Sequence, residues 1–398
     1  MSKALSKMVW GIVFLLLSTT SYALYSPTQG ELPEFREVLP KSIVKYLSHC
    51  DAQLAKKAIA SVGEDKIQLI ANYIGDEGWK YVMEHIKPEL KPILEKYKPA
   101  SGIDFKKLEA ELKKVYPKIP AIWMNLLPEQ EFIRYLKETE KLVRGVEALF
   151  MGWQGLRVFF ETLDEKRHEA LLDHTPDWVF IDIGLMRYDA IKDYKCIVYK
   201  QERVKGHLQD VEKILLKYRD KPFAIYMKWL DGPFKGREVL YNEAYYKDKV
   251  RVREGGSGIS DRILGIAPAW IGLTSSLARR GTNHLVTEIG LKHLLEMIKK
   301  DYLRGKGTND IKRVNHGIQE VDNHKVYVME NILPKDPKKG YYCYRIIHYI
   351  DYMRSLEIKA VMYNWDNQLQ ESYTYTQIAI NPGLKDIDFD PENPEYRL

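Results

Sequence analysis

Histidine, cysteine and the acidic side chains are where chemistry would be sought first, and the ten histidines and three cysteines are spaced unhelpfully for it. His168 and His174, in "HEALLDH", stand six apart, which on a helix turns them to different faces. A zinc-protease helix needs a spacing of four. His49, Cys50 and Asp51 are neighbours in the chain, so they do not stack on one helix face, and metal-ligand spacing is missing elsewhere. "GGSGIS" sets Ser257 among glycines but has Ile259 where a nucleophile elbow needs its last glycine. It also lacks the Lys-Ser/Thr of a phosphate loop. Arg237 and Glu238, in "KGREVLY", fall on opposite faces of a strand and cannot act as a pair. The carboxylates of "EVD" and "FDPENPE" read as solvated tails. No set passes the geometric tests for catalysis, so no catalytic residue, metal or cofactor is expected.

One cluster has two readings. His284 and Glu288 lie four apart, after Arg279 and Arg280. Together they could form a polar mouth that grips a head group or carboxylate. More simply, Glu288 is an acid favoured by a helix start, and the arginines belong to a solvated loop.

The elements that would position these residues come next. "GLKHLLEMIKKDYL" carries Leu291, Leu294, Leu295, Ile298 and Tyr302 at helical spacing, with Thr287 as its N-cap. Around this helix the period is two. In "KPFAIYMKWL", Phe223, Ile225, Met227 and Trp229 share one face, and Ala224, Tyr226 and Lys228 the other. Similar runs, from "YKCIVYKQERVKG" to "SYTYTQIAIN", give about ten short strands and predict one antiparallel, strongly twisted sheet or barrel. Ser355-Leu356-Glu357 and Asp366-Asn367 are expected hairpin turns. One helix covers only part of such a sheet. The loop around Ile266 to Leu273, the helical half or an apolar guest must close the rest. Lys, Arg and Asp recur along the strands, which favours a water-soluble sheet over a lipid-facing barrel.

Before the strands, from about Ser42 to His174, apolar residues recur at three and four, as in Phe105, Leu108, Leu112 and Val115, and prolines divide this half into several helices. The texture changes near "TPDWVFIDIG". At the very start, Lys3 and Lys7, an apolar run from Met8 to Leu17 and a small-residue exit at Ala23 predict a cleaved secretory leader. The run is too short for a membrane span. Without the two leader lysines the formal charge falls from +6 to +4, a mild excess that does not imply nucleic acid. Cys196 and Cys343 sit in strand-like stretches; they either pair in an oxidising compartment or remain buried thiols, and the sequence leaves both open.

The stretch "YKQERVKGHLQDVEKILLKYRDKPFAIYMKWLDGPFKGREVLY", then "RRGTNHLVTEIGLKHLLEMI" and the closing "DIDFDPENPEYRL" resemble an uncharacterised family of exported bacterial domains. Its members look related in fold to the lipoprotein-localisation factors of the LolA/LolB kind. The resemblance runs over about 185–398; the helical half lies outside it. It implies an α+β protein whose C-terminal curved antiparallel half-barrel, with a covering helix, holds acyl chains or lipid-linked cargo. It also brings in domains of periplasmic envelope-stress regulators, which bind lipid-like signals and a protein partner. The expected organisation is a leader at 1–23, a helical domain at 24–176 and a half-barrel domain at 177–398. The expected function is non-catalytic binding, in the periplasm, of a lipid, acyl chain or lipidated peptide. The expected groove is Phe223, Ile225, Met227, Trp229, Leu294 and Ile298, with Arg279, Arg280, His284 and Glu288 at its mouth. An envelope protein docking on the helical half, with no lipid bound, is the alternative. Neither nucleic acid nor a transmembrane segment in the mature chain is expected.

Overall fold

The computed structural model describes residues 31–255 and 268–398. The leader expected to end at Ala23 lies outside these residues, as do Ser257, Ile259 and Ile266 of the glycine-rich stretch. Among the described residues no helix is long and apolar enough to cross a membrane. The chain divides into two compact units, with the division between Met186 and Arg187.

The first unit is helical. Among the described residues its helices are α1 (Phe35–Ser48), α2 (Ala52–Val62), α3 (Glu64–His85), α4 (Lys91–Leu94), α5 (Phe105–Val115), α6 (Lys118–Leu126), α7 (Glu129–Glu138), α8 (Lys141–Thr162), α9 (His168–Asp173) and α10 (Asp177–Asp189), the last of which runs past the division. Asp51 and Asp104 cap α2 and α5 by accepting from backbone N–H groups of the first turn. Aromatic rings fill the core: Phe35 stacks on Phe150 at 3.8 Å and Tyr46 on Trp123 at 4.9 Å. The core holds a buried acid, Glu147, which accepts from Ser42 Oγ at 2.5 Å and Tyr116 OH at 2.6 Å. "TPDWVFIDIG" enters α10 at Asp177 and is helical from there, and the period of two begins only at Asp193.

Among the described residues the second unit is a twelve-stranded sheet with one long helix. The strands are β1 (Asp193–Val204), β2 (His207–Leu208), β3 (Glu212–Arg219), β4 (Ala224–Asp231), β5 (Glu238–Asn242), β6 (Lys249–Arg253), β7 (Ala269–Gly272), β8 (Lys312–Val321), β9 (His324–Ile332), β10 (Arg345–Asp351), β11 (Leu356–Tyr363) and β12 (Leu369–Ile380). The helix, α11 (Leu291–Gly305), lies between β7 and β8 in the chain. The strand order is β7-β6-β5-β4-β3-β1-β12-β11-β10-β9-β8, with β2 on β1 and every pair antiparallel. The two ends do not meet, so the protein is α+β with a curved, unclosed sheet after a helical region. Two strands exceed the expected ten. One is the two-residue β2, too short to show a period; the other is β7, inside the stretch read as loop. The turns are tight where left-handed residues fall, at Lys205-Gly206, Asp322-Asn323, Ser355 and Asn367.

Strand β4 is buried on both faces. Its Ala224 and Tyr226 join Leu240 and Phe389 in a small core, with Leu384, Tyr396 and Leu398 packed on it. Within "FDPENPE" Phe389 is buried, while the carboxylates read as solvated are exposed at Glu392 and Glu395 and half-buried at Asp390. Lys217 Nζ donates to Asp388 at 2.5 Å, Arg219 to Asp386 at 2.6 Å, and Tyr396 lies flat on Tyr226 with centroids 3.8 Å apart. The acids just before that stretch, Asp386 and Asp388, find their basic partners some 170 residues earlier in the chain. Cys196 and Cys343 are buried free thiols, as is Cys50, and burial pushes all three up. Cys343 precedes β10 and is not in a strand.

Candidate functional site

The other face of β4 looks into a cavity of about 80 Å³. Its apolar part is framed by Leu216 of β3, Met227 of β4, Val239 of β5, Met362 of β11, and Leu294 and Met297 of α11. Period two puts Met227 and Trp229 on this face, since register sets Met227 beside Leu216 and Val239. The apolar stripe of α11, Leu291, Leu294, Leu295 and Ile298, is buried. The helix starts later than Thr287 suggests. Val286–Glu288 form a short 3₁₀ turn, and Gly290, at φ 128°, leads into Leu291. A Cβ on Gly290 would stand 2.9 Å from the Tyr194 hydroxyl, so the close approach and the positive φ both require glycine.

Of the expected groove residues, Met227, Trp229 and Leu294 line the cavity, and Phe223, Ile225 and Ile298 are not among its lining. Phe223 precedes β4 and packs its ring between Tyr218 and Tyr241, at 5.6 and 5.5 Å. Ile225 is wholly buried opposite the same two tyrosines. Ile298 is buried farther along α11. Of the expected mouth, Arg280, His284 and Glu288 line the cavity. Arg279 instead donates to the Asn283 carbonyl at 3.1 Å. Glu288 is not a first-turn acid of α11. Its Oε2 accepts from Leu285 N at 2.9 Å and lies 3.8 Å from His284 Nδ1.

The polar wall is built from inward charges on the sheet. Lys200 Nζ lies 3.4 Å from both Glu202 and Glu212 and donates to the Gly281 carbonyl. Trp229 Nε1 donates to Glu212 at 2.6 Å, and burial raises the Glu212 carboxyl above its ordinary value. Arg237 and Arg280 meet Glu254 at 3.5 and 3.3 Å. Glu371 is held by His284 Nε2 at 3.1 Å and accepts from the Tyr342 hydroxyl at 2.8 Å. Burial acts to raise Glu371, but the bonds from His284 and Tyr342 outweigh it and its carboxyl is held low. Burial likewise acts against the His284 imidazolium, and Glu371 and the nearby acids reverse it, leaving His284 raised. Lys200, Glu202, Glu212, Tyr342, Glu371 and Tyr373 escaped the sequence reading, which took charge along strands as a sign of solvent. The available signal was parity. Lys200 and Glu202 share the face of the apolar Val198.

Chemically, this wall is a set of neutralised pairs around an apolar hollow. Its acids and bases are engaged with one another, and among the described residues no group of three or more His, Cys, Asp or Glu is placed to hold a metal.

A family model described as "Protein of unknown function (DUF1571)" matches residues 191–398. No curated protein matches the chain. Solved structures similar to it include MucB, at 13% identity over 52% of this chain and 60% of that one, TM-score 0.31. The chain thus spans about 60% of MucB. Others are lipoprotein LppX of Mycobacterium tuberculosis, at 13% identity over 54% of this chain and 100% of that one, TM-score 0.32, and a LolA superfamily protein of Nitrosomonas europaea, at 12% over 52% and 96%, TM-score 0.23.

Proposed function

The chain belongs to the DUF1571 family, whose description assigns no activity, and we propose from its geometry that it is an exported, non-catalytic protein that binds an acyl chain, as lipid or lipidated peptide, beneath α11. The observation that carries this reading is the apolar hollow between Met227 and Trp229 on the sheet and Leu294 and Met297 on the helix. Burying alkyl surface there yields about 0.8 kcal/mol per CH₂, so a chain needs few polar contacts. As it stands the hollow is small, since ligand pockets are commonly about 300–1,000 Å³. A guest must therefore displace α11, or part of it, from the sheet. Residues 1–23 act as a cleaved periplasmic leader, 177–398 as the binding domain, and 24–176 as a helical domain that docks an envelope protein.

The small cavity supports a second reading, in which the sheet is a filled scaffold and the helical domain does the binding. Fluorescence titration with a dansyl-labelled fatty acid separates the two. Saturable, blue-shifted binding is expected, and Met297→Trp, which fills the hollow, should weaken it about tenfold with far-UV circular dichroism unchanged. An absence of saturable binding would leave the scaffold.

A further inference from the structure

The segment from Thr282 to Gly290 closes the polar side of the cavity and continues into α11. It is fastened by two acids from neighbouring strands. Glu202 of β1 and Glu371 of β12 are direct register partners, and both are almost wholly buried. Like charges placed opposite one another across a sheet repel, and burial removes the water that would screen them. The segment supplies much of the compensation. Thr282 Oγ1 donates to Glu202 at 3.1 Å and Asn283 N at 2.7 Å, while Asn283 Nδ2 reaches Glu371 at 3.4 Å and His284 Nε2 at 3.1 Å. Glu202 also has a fixed cation in Lys200, 3.4 Å away. Glu371 does not. Among the described residues its one ion pair is with His284, whose charge can be lost.

We propose that His284 is a proton-controlled latch on this cavity: as an imidazolium on Glu371 it holds the segment and α11 closed over the sheet, and on losing its proton it lets them go. The proposal rests on the reading above only in taking the opened cavity to be a place a guest enters. The groups that face His284 are Glu371 and Tyr373 of β12, Glu202 of β1, Tyr342 before β10, Glu288 of its own segment, Arg280 just before that segment and His293 of α11. Their balance is acidic. It raises His284 above the ordinary histidine value, whereas burial keeps His293 low. A raised histidine stabilises the closed state below its unperturbed value of about 6.5, and that stabilisation is lost as pH rises through the higher folded value. At the acid end the latch persists until Glu371, held low, takes up its proton. Closure therefore spans the mildly acidic to neutral range, and opening comes with rising pH.

Hydrogen–deuterium exchange on the full mature chain tests this without any lipid. After correction for intrinsic rates, protection over 282–305 should fall several-fold between about pH 6 and about pH 9, while β1 and β12 keep theirs. His284→Gln should show the low protection at both values, and Glu371→Gln provides the same reading from the other partner should the first fail to fold. Equal protection at both pH values in the native chain, or protection in either variant as high as native at about pH 6, would overturn the latch. A dansyl fatty acid titrated in parallel separates the two ideas. Opening without binding keeps the latch and removes the lipid reading; binding with flat exchange does the reverse.

Discussion

Glu147 in the helical unit and Glu371 in the sheet unit are the same residue at similar burial, 5% and 1% exposed, and their environments push them opposite ways. Glu147 takes its hydrogen bonds from two hydroxyls, and the terminal nitrogens of Arg144 donate to the Leu136, Thr139 and His174 carbonyls. Burial wins there, and the Glu147 carboxyl is raised. Glu371 has His284, Tyr342 and Asn283, and is lowered. An acid satisfied by neutral donors of its own core is a packing element, and losing its charge costs little. An acid whose cation stands on a segment that must move for the cavity to open couples that segment to the proton.

The largest effect should come from Glu371→Ala. It leaves the half-buried His284 with Glu288, 3.8 Å from its Nδ1, in place of its shorter ion pair and takes the carboxylate acceptor from the Tyr342 hydroxyl, a loss of about 3–5 kcal/mol. Urea unfolding followed by the strand signal would show it; a midpoint close to native would mean that the pair stabilises nothing. Tyr342→Phe removes only the hydroxyl and should cost about 1–3 kcal/mol in the same assay, the amount of one buried bond to a charged acceptor. Glu147→Gln should lie within about 1 kcal/mol of native, because the amide oxygen can accept from Ser42 and Tyr116 as the carboxylate does. It should also alter the pH profile. With the folded value raised, the contribution of Glu147 to stability is present at low pH and is lost as pH rises through that value. The variant should flatten this slope in the helical signal. An unchanged slope would show that Glu147 is not the titrating group.

Much of the fold could be read from the residues. Alternation from Tyr194 onward carries the antiparallel sheet, and Leu291, Leu294, Leu295 and Ile298 give the covering helix, because periods of 2 and 3.6 are local properties. The face of β4 bearing Met227 and Trp229 was equally legible. What covers its two faces was not. Tyr226 is covered by Tyr396 and Trp229 is bonded to Glu212, and sequence alone does not record either meeting. The polar wall was hidden for a different reason. Glu202 and Glu371 look like solvent-facing strand acids until the register sets them opposite each other, and only the fold supplies the register.

The central claim is that the hollow beneath α11 takes an acyl chain. Native mass spectrometry of the mature protein, purified from its own envelope without detergent, tests it most directly. The account predicts an adduct of lipid mass that is lost on delipidation, regained with added lipid and weakened by Met297→Trp. A clean apo mass that also ignores added lipid would contradict it.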